Sequence, residues 1–284
     1  MRNVLTLNAG ALKTVSQVAV LEELERQVGK ATWEIFDVIS GTSAGGINAA
    51  MLASGYRASE LADLYMDPAN RIFRWRWRIW RSLFKRKPFV RTIEKYLPRR
   101  RTLDDTKVPV ILFAQNIGDG INYAFSSMDA RPISIARAIL RTTSVPPFLE
   151  PEEGVWLDPG MGSLFNPTEA TLRFLKGRRV DLQSLRVVNL ESPLDPHRSS
   201  GDRLQRGGLM VRVNHAVETV FADLSRRAHA GIHYYFPGVD YLSCSFSNNR
   251  YFDPFKFKDL AGLYEEARQA APDQVSNIRR FLEV

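Results

Sequence analysis

The residues with the clearest chemistry are Gly41-Thr42-Ser43-Ala44-Gly45, a G-x-S-x-G pentapeptide followed by Gly46. This spacing puts a serine at the point of a tight turn, where the hydroxyl stands clear of the backbone and the neighbours must be small. The chemistry that follows is nucleophilic attack on an acyl carbon, with a nearby base taking the hydroxyl proton. A serine that only caps a helix is the plainer alternative. The flanking sequence favours the nucleophile. Ile35 to Ile39 reads as a short buried strand, and Ile47 to Gly55 reads as a helix with a glycine stop. A strand running straight into a helix is the context such a nucleophile requires, with Gly41 and Gly45 shaping the elbow. The helix start adds free N–H groups and a positive dipole end, both favourable to negative charge on a nearby oxygen.

A serine nucleophile needs a base. The chain holds four histidines, His197, His215, His229 and His233, and none follows a strand as a triad histidine should. The better candidate is Asp158, at the end of the short strand Val155 to Leu157 and inside the turn Asp158-Pro159-Gly160.

The elements that must position these groups alternate. Val4 to Leu7 reads as a buried first strand, Val15 to Val28 as an amphipathic helix, and Ala58 to Tyr65 as a short helix. Val108 to Ala114 and Ile121 to Phe125 read as a hairpin, joined through Gly118-Asp119-Gly120. Ile133 to Arg141 is helical, and a proline-braced loop runs from Thr142 to Pro151. A helix starts near Pro167, Leu185 to Leu190 is a strand, and Leu209 to Ala230 a long helix. Tyr234 to Phe236 and Tyr241 to Cys244 read as late strands before a closing helix, Leu260 to Leu282. Alternation of this kind predicts an α/β protein with a mostly parallel sheet covered on both faces.

At 284 residues, with 44% hydrophobic and 25% charged content, the chain can fill a large core. The lone Cys244 rules out a disulfide framework and a cysteine-rich metal site. No signal-peptide pattern or membrane-span length is present, which predicts a cytoplasmic location. No metal and no cofactor are expected.

Three blocks, in order, carry a resemblance to the patatin-like phospholipase family. Leu7-Asn8-Ala9-Gly10-Ala11-Leu12-Lys13-Thr14 stands where that family has its glycine-rich oxyanion loop, D-G-G-G-x-[RK]-G. Gly41-Thr42-Ser43-Ala44-Gly45-Gly46 matches its G-T-S-A-G-G elbow. Asp158-Pro159-Gly160 stands where it has D-G-[GA], with Asn166-Pro167 following. The segment Ala136 to Phe148 is similar to the family's helix and proline loop ahead of the aspartate. The resemblance implies a three-layer α/β/α fold and a Ser43–Asp158 dyad without histidine. It also implies an oxyanion site at Ala9, Gly10, Ala11 and Lys13, and membrane glycerophospholipids as the substrate class. In some of this family a partner or small-molecule activator releases the activity. The chain departs from the pattern at Asn8, Ala9, Ala11, Thr14 and Pro159. Gly10 alone survives where glycine commonly takes positive φ. These departures keep a second reading open, a patatin-fold lipid- or membrane-binding protein with weak or no turnover.

The net charge of +8 has a local source. No acidic residue lies between Asp67 and Glu94, while Arg71, Arg74, Arg76, Arg78, Arg81, Lys85, Arg86, Lys87 and Arg91 do. On a helix, Ile72, Phe73, Trp77, Trp80, Leu83 and Phe84 share one face, with Trp75 at its border; Arg71, Arg74, Arg78, Arg81 and Lys85 gather opposite. Tryptophan and arginine in this layout suit a helix lying in an anionic bilayer surface. The chain therefore reads as one patatin-like domain over 1–284 with a basic aromatic insertion at about 68–100, peripherally membrane-associated. Arg74, Trp75, Trp77, Arg78, Trp80, Arg81 and Lys85 are the membrane contacts. Nucleic-acid binding through 70–91 is the competing reading of the basic stretch, and it leaves the three hydrolase blocks unused; no nucleic-acid partner is expected. Changing Arg74, Arg78, Arg81 and Lys85 together to glutamate should cut sedimentation with anionic liposomes and hydrolysis of vesicle lipid, while sparing a soluble short-chain ester. Equal loss on both substrates would place the segment in the core instead.

Overall fold

The computed structural model describes residues 2–67, 86–129, 133–146, 148–193, 209–245 and 259–284. The membrane-contact candidates Arg74, Trp75, Trp77, Arg78, Trp80, Arg81 and Lys85 lie outside these residues, as does His197.

The chain begins with β1 (Asn3–Leu7), α1 (Val15–Val28) and a one-turn α2 (Thr32–Ile35). β2 (Val38–Gly41) leads directly into α3 (Ser43–Ala53), followed by α4 (Ala58–Met66) and α5 (Arg86–Tyr96). Next come β3 (Val110–Asn116), β4 (Asn122–Ser126), α6 (Ile135–Thr142), β5 (Trp156–Leu157), α7 (Thr168–Gly177) and β6 (Arg186–Leu190). The described chain ends with α8 (Leu209–Tyr235), β7 (Asp240–Cys244) and α9 (Leu260–Leu282).

The strands form one sheet in the order β4-β3-β2-β1-β6-β7, with β5 also paired to β3. Pairings from β3 through β7 are parallel, and the hairpin partner β4 and the short β5 run antiparallel. Two-residue periodicity sends alternate side chains into two cores. Leu5, Leu7, Ile39, Leu112 and Val188 pack with α1, α3, α6 and α9 on one face. Val4, Val38, Ile111, Phe113 and Val187 pack with Leu172 and Leu175 of α7 and Ile232 of α8 on the other. This is the expected three-layer α/β/α fold around a mostly parallel sheet. The parallel register aligns the carboxyl ends of β1, β2 and β6, with Leu7 beside Gly41 and Leu190. Residues that follow these strands therefore meet on one edge, where ligands bind in such sheets.

Several boundaries differ from the sequence reading by one or two residues, and three larger differences have a clear physical reason. Ile35 closes α2 and is not in the strand. The elbow helix begins at Ser43 itself, four residues before its first large apolar residue, Ile47. Alanine and glycine there hide the helical period from a hydrophobic pattern. Tyr234 and Tyr235, expected in a strand, continue α8, and both are exposed. β-rich composition over three residues yields here to the propagation of a helix already formed. Among the described residues no helix is long and apolar enough to cross a membrane.

Candidate active site

α3 is buried on every side; only Ser43, at its first position, reaches partial exposure. Such a helix has to pass within contact distance of the strand ends, and its glycines permit this. A methyl on Gly41 would lie 2.3 Å from the Gly45 carbonyl oxygen, and one on Gly45 would lie 2.4 Å from the Asn8 carbonyl oxygen. Ser43 takes a left-handed φ of 57°. That conformation costs a non-glycine residue about 1–2 kcal/mol and is held by packing and by the Ser43 amide, which donates to Thr142 Oγ1 at 3.0 Å. Thr142 ends α6, in the helix-and-proline-loop block, and nothing in the sequence marked it as the acceptor.

Ser43 Oγ donates to Asp158 Oδ2. The other carboxylate oxygen, Oδ1, accepts the Gly160 amide at 2.8 Å, and the Asp158 amide donates to Ser144 O at 2.8 Å. Pro159 opens a one-turn 3-10 helix and so presets the backbone behind the carboxylate. Asp158 is 4% exposed. Burial pushes its carboxyl from 3.8 up to about 7, against the hydrogen bonds from Ser43 and Gly160. β5 carries Asp158 to Ser43, and Arg141 stiffens that strand by stacking 4.4 Å from the Trp156 ring centre. Trp156, Phe125, Leu140, Arg137 and Arg141 also line a cavity of about 1060 Å³ between α6, β4 and β5, to which neither Ser43 nor Asp158 contributes.

The turn after β1 corrects one expectation. Gly10 has φ 161°, outside the left-handed region, and it is Ala11 that is left-handed, at φ 49°. Gly10 is required for closeness: a methyl there would lie 2.3 Å from Ser192 Oγ. Ser192, two residues past β6, was invisible to sequence reasoning because the contact comes from strand order. The four expected oxyanion residues also divide. The Ala9 amide donates to Phe165 O at 2.9 Å and the Lys13 amide to Gly10 O at 3.0 Å. The amides of Gly10 and Ala11 have no hydrogen-bond partner among the described residues, so the candidate donor set narrows to these two. Lys13 is buried. The Asp158 turn packs against the same loop, since a methyl on Gly160 would lie 2.8 Å from Ala9 Cβ.

Both ring nitrogens of His229 are engaged away from the serine. Nε2 lies 2.6 Å from Glu191 Oε1 and Nδ1 lies 2.9 Å from the Tyr241 hydroxyl. His233 packs edge-on to the Tyr241 ring. Among the described residues no cluster of three or more histidine, cysteine, aspartate or glutamate side chains could hold a metal ion.

Residues 5–170, the span that holds both turns and the elbow, match the family model described as Patatin-like phospholipase. The chain belongs to the patatin-like phospholipase family. It is 31% identical over 182 residues to a cGAMP-activated phospholipase of Vibrio cholerae, covering 55% of this chain and 51% of that protein. It is 29% identical over 168 residues to a cGAMP-activated phospholipase of Escherichia coli, covering 52% and 47%. The chain thus spans about half the length of the curated relatives it matches. VipD from Legionella pneumophila shares the fold, with a TM-score of 0.50 at 13% identity over 99% of this chain and 67% of that one.

Two predictions follow from this patatin geometry. Gly10→Ala should lower the melting temperature by several degrees, and adding Ser192→Gly should recover most of the loss; thermal unfolding of the single and double variants checks it. The raised carboxyl of Asp158 contributes stability that is present below its unfolded value of 3.8 and lost as pH rises through about 7. Asp158→Asn should therefore be more stable than wild type at pH 8, and urea denaturation across pH should show the gap closing towards pH 4.

Proposed function

We propose that this chain is a lipid acyl hydrolase working through Ser43 and Asp158. The observation that carries the reading is the hydrogen bond from Ser43 Oγ to a buried carboxylate whose pKa lies near 7. A carboxylate of ordinary pKa is a weak base for a serine hydroxyl, whereas one near ambient pH is both ionised and basic enough to act.

Ser43 Oγ attacks the ester carbonyl carbon as its proton passes to Asp158 Oδ2. The developing oxyanion is held by the Gly10 and Ala11 amides. Collapse of the tetrahedral intermediate breaks the acyl–oxygen bond, and the leaving alkoxide takes the proton from Asp158. Water then attacks the acyl-serine, giving its proton to the same carboxylate, and the acid leaves as Ser43 is reprotonated. Membership of a family of phospholipases supports membrane glycerophospholipids as the ester, and the basic aromatic segment supports docking at an anionic bilayer. The names of the relatives support a small-molecule activator of cyclic-dinucleotide type. The binding-protein alternative rests on the altered oxyanion turn, and activated-serine chemistry separates the two.

Fluorophosphonate should label wild type and not Ser43→Ala. Ester turnover, assayed with and without cyclic dinucleotides, should vanish in Ser43→Ala and fall on the order of a thousandfold in Asp158→Asn. For wild type, kcat/KM should rise with pH through about 7 and level off above it, as Asp158 ionises. A histidine variant as inactive as Asp158→Asn, or an unlabelled wild type in every condition, would sink the dyad.

A further inference from the structure

Behind the turn that follows β1 lies a set of buried polar side chains that the dyad does not use. Gln17 of α1 donates from Nε2 to the carbonyls of Asn8 at 2.9 Å and Leu190 at 3.2 Å, and to Ser192 Oγ at 3.2 Å. Its Oε1 accepts from Asn48 Nδ2 at 3.1 Å. Asn48 sits on α3, the helix that begins at Ser43, and Nδ2 also donates to Thr14 O at 3.2 Å. Tyr65, near the end of α4, donates to Asn48 Oδ1 at 2.9 Å and lies 3.0 Å from Thr14 Oγ1. Thr14 Oγ1 donates to Ala11 O at 2.9 Å. Thr14, Gln17, Asn48, Tyr65 and Ser192 are all buried.

The contacts are concentrated on one short piece of backbone. They hold the carbonyl of Asn8, two residues before Gly10, the carbonyl of the left-handed Ala11 and the carbonyl of Thr14 where the turn becomes helix. The far side of the same network is α3. Burial holds the Tyr65 phenol protonated, with its pKa pushed up to about 12, so it stays a donor to Asn48. The Thr14 proton is then shared between Ala11 O and the Tyr65 oxygen. Every amide proton of Gln17 and Asn48 is used, so an apolar replacement leaves a partner stranded in a low-dielectric interior.

We propose that Thr14, Gln17, Asn48 and Tyr65 are positioning residues that set the Gly10 and Ala11 amides relative to Ser43. Their hydrogen bonds help hold Ala11 in a left-handed conformation that a glycine would adopt more readily. The proposal rests on reading those two amides as the oxyanion donors. The clamp works through geometry alone: α3 carries Ser43 and Asn48 as one rigid piece, so fixing the turn to Asn48 fixes it to the nucleophile.

The test uses the full chain and four variants. Thr14→Val removes a hydroxyl and keeps the shape, Thr14→Ser keeps the hydroxyl, Gln17→Met keeps the length without the amide, and Tyr65→Phe removes one oxygen. On a soluble short-chain ester, Thr14→Val and Gln17→Met should lose kcat on the order of a hundredfold with KM within about twofold. Thr14→Ser should stay within about threefold of wild type, a rescue that simple loss of packing would not give. Amide hydrogen exchange measured over residues 8–14 should accelerate in Thr14→Val and Gln17→Met and not in Thr14→Ser. If Gln17→Met fails to fold, Tyr65→Phe takes its place with the same expectation. Losses confined to KM, or wild-type kcat in Thr14→Val, overturn the proposal. If wild type itself shows no turnover with or without cyclic dinucleotides, the donor reading fails, and exchange decides the clamp: unchanged rates over 8–14 in Thr14→Val and Tyr65→Phe overturn it.

Discussion

The rest of the structure depends on the close approach of α3 to the carboxyl ends of β1 and β2. The Gly45 backbone lies against the carbonyls of Leu7 and Asn8, and Gly41 lies against the Gly45 carbonyl. No side chain of any size fits in either contact. Because α3 starts within two residues of the end of β2, Ser43 is forced into a left-handed conformation, and its hydroxyl points out of the junction. The same approach draws the turn after β1 beside the serine. Elbow, turn and helix are thus one packing solution.

That solution stores unfavourable energy in three places. Ser43 and Ala11 are the buried or half-buried members of the five non-glycine residues with positive φ among the described residues; Glu153, Arg179 and Glu283 lie in turns or at a helix end. The third place is Asp158, whose carboxyl is kept out of water. Strain and desolvation of this kind persist only where the surroundings over-determine the conformation. Here α1, α3, α4, α6 and the ends of β1 and β6 all contribute hydrogen bonds or contacts to the site. Stability is lower for it, and the hydroxyl of Ser43 and the carboxylate of Asp158 are held together in the folded chain.

The opposite face of the sheet carries a different polar set. Thr6 contacts Thr168 at 2.7 Å, Thr171 donates to Ser40 at 2.7 Å, and Asn189 donates to Ser243, which donates to Glu191. Glu191 and Tyr241 then hold the two nitrogens of His229. These contacts tie α7 and α8 to β1, β2, β6 and β7. They account for the His229 ring as a structural crosslink held by Glu191 and Tyr241, away from Ser43.

The sequence by itself determined the layered α/β architecture, and it singled out the elbow serine and an aspartate, not a histidine, as the candidate pair. Each rests on local signals: alternation of strand and helix, small residues around Ser43, and an acid at a strand end. Only the tertiary structure decided which backbone amides remain unpaired, that Ala11 and not Gly10 is left-handed, and that Gly10 answers to Ser192. It also decided the start of α3 and the continuation of α8 through Tyr235, where composition pointed elsewhere. The physical reason is one of range. Periodicity and turn chemistry act within a few residues, whereas the bonds from Gln17, Asn48 and Ser192 to the turn join segments brought together by the strand order β2-β1-β6. A buried carboxyl near pH 7 likewise has no sequence signature, because desolvation belongs to the packed interior and not to the residue.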